Sequence, residues 1–391
     1  MIFNSLGSNY NFNFVLKTLF SFNLPKYREE LEKFLQEKYG GEAILLYKGR
    51  EAIELALTYL NLPKGSFVAI NGFTCYAVYE AIKKAGLEVE YLDIDRGELN
   101  FSADTLKKVI EKNPKIKVVI VQNTLGYPGE IEQIAQICKQ NKIFLVEDLA
   151  HCVGTKYGNG KEAGTVGDFV VLSFSQDKII DAVSGGALIE RIGANLDHPP
   201  GGLAWHLQDV PLEKQLKDKL YPTFTYIIRI TYQWKLGKVM HFLLKKLKFL
   251  SEPMDGDGKL RGIPAWYCNL IKSQFEKLRE NLNHRKKIAL IYVSQINPKI
   301  ISPNLIKKVE FSSNLRFPIF VEERVGLVKY LAQNNIFVSD IWYDAPIAPA
   351  GQCPNAQLAS AEILNLPTHI NVSEIDAEKI AHLVNQWLKS R

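Results

Sequence analysis

The chain has 391 residues, of which 47% are hydrophobic and 23% charged, a composition typical of a soluble globular protein with room for two domains. Its formal net charge of +6 is mild for this length, and it has no arginine-rich block, so we expect no nucleic-acid partner. The five cysteines are scattered and form no Cys-x-x-Cys pair, which argues against a disulfide framework or a metal site. Without a secretory signal pattern or an apolar run of membrane-spanning length, the sequence predicts a cytoplasmic protein.

The N-terminal part of the chain predicts an extension, two helices and a strand. Residues 1–24 are rich in aromatic residues and asparagine, and we expect them to pack on the domain surface or on a partner subunit. An amphipathic helix follows Pro25 and ends at Gly40–Gly41. A strand from Ala43 then leads through the turn Lys48–Glu51 into a second helix. This turn has a glycine and free N–H groups at a helix N-terminus, which predicts an anion site, although an ordinary helix start has the same pattern.

From Ser66 to Asp148, apolar strands alternate with short helices. Strands are predicted at 67–70, 88–95, 116–122 and 143–148, and helices at 75–86, 102–112 and 130–140. This alternation predicts an α/β fold with a large, mostly parallel sheet covered by helices on both faces. Asn123 and Thr124 follow one strand and are candidates for contact with a ligand, or they belong to a plain connection.

Three chemically different side chains follow the strands of the stretch 143–190. Asp148 ends the first strand, and Ser173 and Lys178 lie at and just after the end of the second. In open α/β sheets, ligands bind outside the carboxyl ends of the strands. A carboxylate for a ring nitrogen, an amine for an aldehyde and a hydroxyl for a phosphate together suit pyridoxal phosphate. Taken singly, each side chain is also compatible with a surface charge or a turn.

The motifs VEDLAHCVG and SFSQDK resemble those of the DegT/StrS-type sugar aminotransferases. These are fold-type I pyridoxal phosphate enzymes, so the resemblance implies a large, mostly parallel-sheet domain and a smaller C-terminal α+β domain. It implies that Asp148 pairs with the pyridine nitrogen and that His151 lies near the cofactor. It also implies that Ser173 binds the phosphate and that Lys178 binds the aldehyde. Lys178, Asp148 and His151 are therefore the predicted catalytic residues.

Further cofactor contacts follow from the same resemblance. The turn at Gly49 and Arg50 corresponds to the family's phosphate-binding turn. Where the family has an aromatic residue stacked on the ring, this chain has Cys75 with Tyr76 beside it. The glycine loop after the lysine lacks the family's acidic residue. The asparagine that reaches the neighbouring subunit's phosphate is also missing, and Arg261 is the nearest candidate to replace it.

The resemblance divides the chain into parts. Residues 25–195 are predicted to form the cofactor domain, and residues 263–391 a small domain with a long connecting helix. Between them, residues 196–262 form a divergent, basic and aromatic helical segment. Its part at 211–250 mixes apolar residues with lysines and few acids. We interpret it either as a cover for a subunit interface or the active-site mouth, or as a weak contact with a membrane surface.

The function implied by the resemblance is transfer of an amino group from a donor, glutamate, to a keto sugar that is linked to a nucleotide. The implied setting is polysaccharide biosynthesis, and the implied assembly is a homodimer with sites at the interface. Two alternatives stay open, because a fold does not fix a reaction. One is other pyridoxal phosphate chemistry, such as that of a lyase or dehydratase. The other is a non-catalytic member that acts as a binding or regulatory module.

Overall fold

The structure, a computed structural model, describes residues 1–191, 207–338 and 347–390. Within these residues, seven strands form the central sheet: β2 (Glu42–Leu46), β3 (Phe67–Asn71), β4 (Glu88–Leu92), β5 (Ile116–Val121), β6 (Phe144–Asp148), β7 (Phe169–Ser173) and β8 (Gly186–Glu190). Their order is β2-β8-β7-β6-β5-β3-β4. Strands β3 to β7 are parallel to one another, whereas β8 is antiparallel to both β2 and β7. The predicted α/β fold with a mostly parallel sheet is therefore confirmed.

The central strands are buried on both faces, which explains their continuous apolar runs. Every residue of β7 and β8 is buried, and so are four of the five residues of β6. Strands that are covered on both sides carry such runs rather than an alternating pattern. Strand β8 was not predicted, because its sequence GALIE follows the glycine loop directly and looks like its continuation.

Helices surround the sheet and continue into the C-terminal half. The described helices are α1 (Phe12–Leu19), α2 (Lys26–Tyr39), α3 (Gly49–Tyr59), α4 (Tyr76–Lys84), α5 (Ala103–Lys112), α6 (Ile131–Gln140), α7 (Leu212–Thr231), α8 (Leu236–Lys246), α9 (Ala265–Glu276), α10 (Leu278–Gln295), α11 (Pro303–Lys308), α12 (Arg324–Gln333), α13 (Pro354–Glu362) and α14 (Glu374–Lys389). No helix among the described residues combines the length and the apolar character needed to cross a bilayer.

The C-terminal half has its own small core. Strand β9 (Arg316–Phe320) pairs antiparallel with β11 (Ile363–Pro367). Helix α14 packs on α10 and α12, and their apolar faces bury residues such as Ile288, Leu327 and Ile380. The predicted long connecting helix is interrupted. It is divided into α9 and α10 at Lys277, where the backbone leaves helical geometry (φ −98°, ψ 4°) and its N–H donates to the carbonyl of Gln274, a tighter, 3₁₀-type bond.

The N-terminal extension packs on its own chain. Strand β1 (Ile2–Phe3) pairs in parallel with β10 (Ile336–Phe337), and α1 packs on α7. Within the segment predicted as 196–262, the described residues from 207 onward contain α7 and α8, while the residues up to 206 lie outside the described part of the chain. Helical structure is thus observed between Leu212 and Lys246, and not in residues 247–262.

The α7–α8 hairpin depends on close contact at Gly237. A Cβ atom at this glycine would lie 2.1 Å from the carbonyl oxygen of Ile228, which is backbone and has no rotamer to change. We therefore expect Gly237→Ala to lower the free energy of unfolding by about 1–3 kcal/mol, the usual cost of overpacking. The measurement is denaturant unfolding.

Gly158→Ala is the matched control, because a Cβ atom there meets nothing within 4 Å. It should leave the stability unchanged or raise it slightly. Equal stability of the two variants would contradict the tight helix contact.

Candidate active site

One cavity of about 750 Å³ lies at the carboxyl ends of the parallel strands. Its lining includes all eight residues predicted from the sequence: Gly49, Arg50, Cys75, Tyr76, Asp148, His151, Ser173 and Lys178. Asp148 ends β6 and Ser173 ends β7, and these strands are hydrogen-bonded neighbours. The sheet therefore brings together side chains that lie up to 129 positions apart, between Gly49 and Lys178. The structure thus brings these residues together at one cavity, while their assignment as site residues and their chemical roles stay predictions.

Lys178 lies in the connection between β7 and β8. Burial is the main cause that lowers the pKa of its amine, while Cys75 and Asp148 partly oppose the shift. A buried lysine with a lowered pKa holds more of its amine in the neutral, nucleophilic form. The preceding residue, Asp177, has a left-handed backbone (φ 63°), and its N–H donates to Asp181 Oδ2 at 2.8 Å. This hydrogen bond fixes the turn from which the lysine projects into the cavity.

Asp148 is the carboxylate of the cavity and is 2% exposed. Its Oδ1 accepts a hydrogen bond from the N–H of Ala150 at 2.9 Å. Burial raises the pKa of this carboxyl to about 6, although that hydrogen bond and the nearby Lys178 act in the opposite direction. At pH 7 the group is mostly ionised but poorly solvated. It is therefore well prepared to bind a cationic ring nitrogen.

His151 is buried beside these two groups as a neutral imidazole. Burial, followed by the charges of Lys178 and Arg316, lowers its pKa well below the ordinary value. Its Nδ1 accepts a hydrogen bond from the N–H of Leu125 at 3.3 Å. A neutral ring whose Nδ1 is an acceptor carries its proton on Nε2, so His151 is a hydrogen-bond donor through that nitrogen.

The start of α3 comes very close to the end of β7. A Cβ atom on Gly49 would lie 2.7 Å from the Cβ of Ser173, so only glycine permits this approach. The contact brings the first-turn N–H groups of α3 beside the serine hydroxyl, which is the arrangement of an anion site. Arg50 also lines the cavity, but its guanidinium donates to the carbonyls of Met254 (3.0 Å) and Asp255 (3.2 Å). Its side chain therefore also holds the 254–255 segment beside the cavity.

Lys48 is a cavity residue that the sequence analysis did not select, although it directly precedes the predicted anion turn. Its side chain is buried, and its Nζ lies 4.8 Å from the centre of the Tyr47 ring. Burial lowers the pKa of this amine to about 8, and the carboxylate of Asp218 limits the shift. At pH 7 it therefore adds a positive charge to the wall beside Gly49 and Ser173.

Some predicted contacts are not observed. Asn123 and Thr124 are absent from the described lining of the cavity, and Gln122 lies there instead. The Asn123 amide donates to Tyr157 Oη at 2.8 Å, and its Oδ1 accepts from the N–H of Gly129. Of the two alternatives left open by the sequence, the plain connection matches the structure, because the chain turns directly after Gln122 through the left-handed backbone of Asn123 (φ 51°).

Arg261 is also absent from the described lining of this chain's cavity, and its role toward the phosphate of a neighbouring subunit stays a prediction. Its guanidinium is bound by Asp257 at 2.5 Å and by Gln208 Oε1 at 3.2 Å. These partners hold the side chain at the surface. Further cavity residues come from the N-terminus (Asn4, Ser5 and Leu6) and from α8 (His241 and Lys245).

A sequence profile of the DegT/DnrJ/EryC1/StrS aminotransferase family matches residues 12–196 and 261–385. The chain belongs to this family. Its members depend on pyridoxal phosphate, so the recognition made from the sequence motifs is confirmed. Residues 197–260 lie between the two matched parts, and they include α7 and α8.

Individual relatives within the DegT/DnrJ/EryC1/StrS family are distant. The chain is similar to the GDP-perosamine synthase of Escherichia coli O157:H7, with 31% identity over 180 residues, which are 45% of this chain and 49% of that protein. It thus spans about half the length of this relative. Identity is 24% over 348 residues with the dTDP-4-dehydro-2,3,6-trideoxy-D-glucose 4-aminotransferase of Saccharopolyspora spinosa, covering 87% of this chain and 83% of that one. The fold matches that of the putative sugar aminotransferase Spr1654 from Streptococcus pneumoniae, in its PMP form, with a TM-score of 0.74, 18% identity, and coverage of 100% of this chain and 99% of that one.

The charge on Asp148 makes a testable contribution to stability. Its pKa of about 6 in the folded protein lies above its ordinary value of 3.8. The folded protein therefore binds this proton between about pH 6 and 4 while the unfolded chain does not, so stability from this group rises as the pH falls through that window. At pH 7, Asp148→Asn should raise the free energy of unfolding of the cofactor-free protein by about 2–3 kcal/mol.

The difference should vanish below about pH 4, where both states of the wild-type carboxyl are protonated. Denaturant unfolding at several pH values measures it, with the exposed Glu111→Gln as the control that should not change stability. A variant that is no more stable than wild type at pH 7 would contradict the unfavourable burial of this charge.

Proposed function

We propose that this chain is a pyridoxal-phosphate-dependent aminotransferase that moves an amino group from glutamate to a keto sugar linked to a nucleotide. The observation that carries the proposal is the cavity in which a half-buried lysine, Lys178, and a buried carboxylate, Asp148, meet at the ends of different strands. Family membership supports the cofactor and the class of reaction. The names of similar proteins, which include a GDP-sugar and a dTDP-sugar enzyme, support a nucleotide-linked acceptor.

The cavity residues fit this cofactor. Asp148 would hold the pyridine nitrogen. Because Gly49 lies so close to Ser173, the first N–H groups of α3 and the serine hydroxyl would both donate to the phosphate. Lys48 would add a positive charge at the phosphate, and the Nε2–H of His151 would donate a hydrogen bond within the same pocket. Cys75 and Tyr76 lie at the wall, but Tyr76 is 56% exposed. We therefore propose that Cys75, rather than an aromatic ring, borders the cofactor on that side.

The chemistry follows from the protonation states of these residues. Pyridoxal phosphate, when bound, supplies an electron sink that makes a proton on the donor's α-carbon acidic. The Nζ of Lys178 would hold the cofactor through its aldehyde. As the neutral amine that burial favours, the same Nζ would accept the donor's α-proton and return a proton within the pocket. Asp148, ionised above about pH 6, would hold the ring nitrogen in its protonated form.

The nitrogen balance distinguishes this reaction from its alternatives. The donor loses its amino group and becomes a keto acid, and the keto sugar gains that nitrogen. A lyase or dehydratase on the same fold would break a carbon–oxygen or carbon–carbon bond without moving nitrogen between substrates. A regulatory member would bind without turnover. Retention of the lysine, which dehydratases of this family replace by histidine, favours amino transfer.

The setting of the reaction is part of the proposal. We assign the enzyme to the supply of amino sugars for polysaccharide biosynthesis, in the cytoplasm and as a homodimer. The missing asparagine of the family removes one contact that a neighbouring subunit would make to the phosphate. Lys48, which lies in the same chain as the rest of the site, supplies a cation there instead.

Replacement of the lysine tests the mechanism directly. We expect Lys178→Ala to lower turnover by several orders of magnitude, because the variant lacks the amine that would bind the aldehyde and move the proton. Wild-type protein should show the visible-edge absorbance band of bound cofactor, and glutamate should abolish it. The variant should lack the band.

Lys161→Ala, an exposed lysine, is the control that should retain both the band and turnover. Mass spectrometry of the products decides the reaction class. An amino sugar supports the proposal, whereas a deoxygenated sugar without added nitrogen would assign lyase chemistry. Wild-type turnover in Lys178→Ala would remove the assigned role of the lysine.

Lys48 is tested by comparing two forms of the cofactor. If its charge binds the phosphate, Lys48→Met should weaken pyridoxal phosphate binding by about tenfold or more, the value of a charge-assisted hydrogen bond. Binding of pyridoxal, which has no phosphate, should stay unchanged. Fluorescence or absorbance titration measures both, and equal loss for the two ligands would mean that Lys48 only maintains the shape of the site.

A further inference from the structure

A surface formed by residues 234–249 has a composition unlike that of the rest of the exterior. Between Asp218 and Glu252 the chain has seven lysine or arginine residues and no aspartate or glutamate. We call the exposed part at 234–249 the basic-apolar face. Its exposed apolar members are Trp234, Leu236, Val239, Phe242, Leu243, Leu247 and Phe249, and its exposed basic members are Lys235, Lys238, Lys245, Lys246 and Lys248.

The apolar side chains of this face are large and well exposed. Trp234 is 68% exposed and Phe242 is 64% exposed. Helix α8 turns its other side toward the protein, where Gly237 packs on α7. Large aromatic and aliphatic groups that cluster at the surface mark a contact with another protein or a membrane. The five lysines form no salt bridge with any residue that the structure describes, so their charge is available to that body.

The positive charge of the basic-apolar face distinguishes between a second copy of the chain and a membrane as its binding partner. If this face lay on the two-fold axis of a symmetric dimer it would meet its own copy, and lysines would lie opposite lysines without an acid between them. The buried centres of protein interfaces are moreover depleted in lysine. An anionic bilayer meets both demands, because its phosphates attract the lysines and its acyl boundary accepts phenylalanine, leucine and tryptophan.

The same helix also forms part of the cavity wall. His241 and Lys245 of α8 line the cavity, and so do residues 250–254, which follow the face directly. A body bound to the exposed side of α8 therefore lies next to one wall of the active site. A contact at this position would orient the cavity relative to the surface that the protein touches.

We propose that the basic-apolar face docks the protein on an anionic lipid bilayer, with α8 as both the contact and a wall of the active-site cavity. The contact is interfacial, since α8 has only 11 residues and lies along the surface. Docking depends on lipid chemistry and not on the amino-transfer reaction. Its test therefore gives an answer whether or not the proposed function is correct.

The test is co-sedimentation of the full-length protein with lipid vesicles. We expect binding to phosphatidylcholine vesicles that contain phosphatidylglycerol, little binding to phosphatidylcholine alone, and weaker binding at high salt. Phe242→Ser combined with Lys246→Glu removes one apolar and one basic contact, four positions apart on α8. This double variant should lower vesicle binding about tenfold or more.

Ile375→Ser combined with Lys379→Glu is the matched control. It makes the same two changes at the same spacing on α14, where Ile375 is 77% exposed. It should bind vesicles like wild type. Both pairs lie at the surface, and melting temperatures check that both variants are folded. Equal loss of binding in the two double variants would overturn the proposal, because it would reduce the effect to net charge.

Trp234 provides a second readout at the face itself. Lipids with brominated acyl chains should quench its fluorescence, and Trp234→Phe should lose that quenching. No binding to phosphatidylglycerol vesicles at low salt would overturn the proposal. So would sedimentation velocity that shows a wild-type dimer without vesicle binding and a monomeric Phe242→Ser/Lys246→Glu variant, since the face would then belong to a second copy.

Discussion

Two buried carboxylates, Asp177 and Asp181, govern the turn that presents the active-site lysine. Burying a charge is costly unless partners compensate it. Arg316 of β9 lies 3.6 Å from Asp177. Tyr10 donates to Asp181 Oδ1 at 2.6 Å, and Asn9 donates to Oδ2 at 2.9 Å. Because these partners come from the two ends of the chain, the turn keeps its shape only when the N-terminal segment and the C-terminal half are both folded against the sheet.

The second constraint is close backbone packing around the start of α3. A Cβ atom on Gly186 would lie 2.5 Å from the carbonyl carbon of Lys48, and one on Gly49 would lie 2.7 Å from Ser173. The first residues of α3 are thus held between the end of β7 and the beginning of β8. This explains why the chain retains the glycine pair after the lysine although it lacks the family's acidic residue. The loop's shape depends on the absence of side chains rather than on a charge.

The sequence predicted what local pattern can encode. Alternating apolar strands and helices indicate a parallel sheet, and a parallel sheet brings strand ends together, so Asp148 and Ser173 were located correctly. For Asn123 the sequence left ligand contact and a plain connection open, and the structure matches the connection, because the chain turns at this residue (φ 51°) and Gln122 lines the cavity instead.

No local sequence pattern indicated that the N-terminal segment contacts the active site. Asn4 lines the cavity, and Tyr10 bonds Asp181, 171 positions away. No periodicity reports a contact at that separation. Likewise, the buried partners of Asp177 become apparent only when the C-terminal half is placed against the sheet. The sequence therefore predicted the helices and strands, but it did not predict the contacts between segments that lie far apart in the chain.

Helix α8 contributes to the cavity although it lies outside the residues that match the family profile. The parallel sheet and the site around Lys178 lie within the residues that the family profile matches, whereas His241 and Lys245 lie in the unmatched segment 197–260. The residues proposed to contact the cofactor therefore lie in the part of the chain that matches the family. Part of the cavity wall comes from residues outside that match. With Lys48 and Arg50 from the matched part and Lys245 from the unmatched part, the cavity is basic on two sides, and this charge would attract the phosphate groups of the proposed nucleotide-linked acceptor.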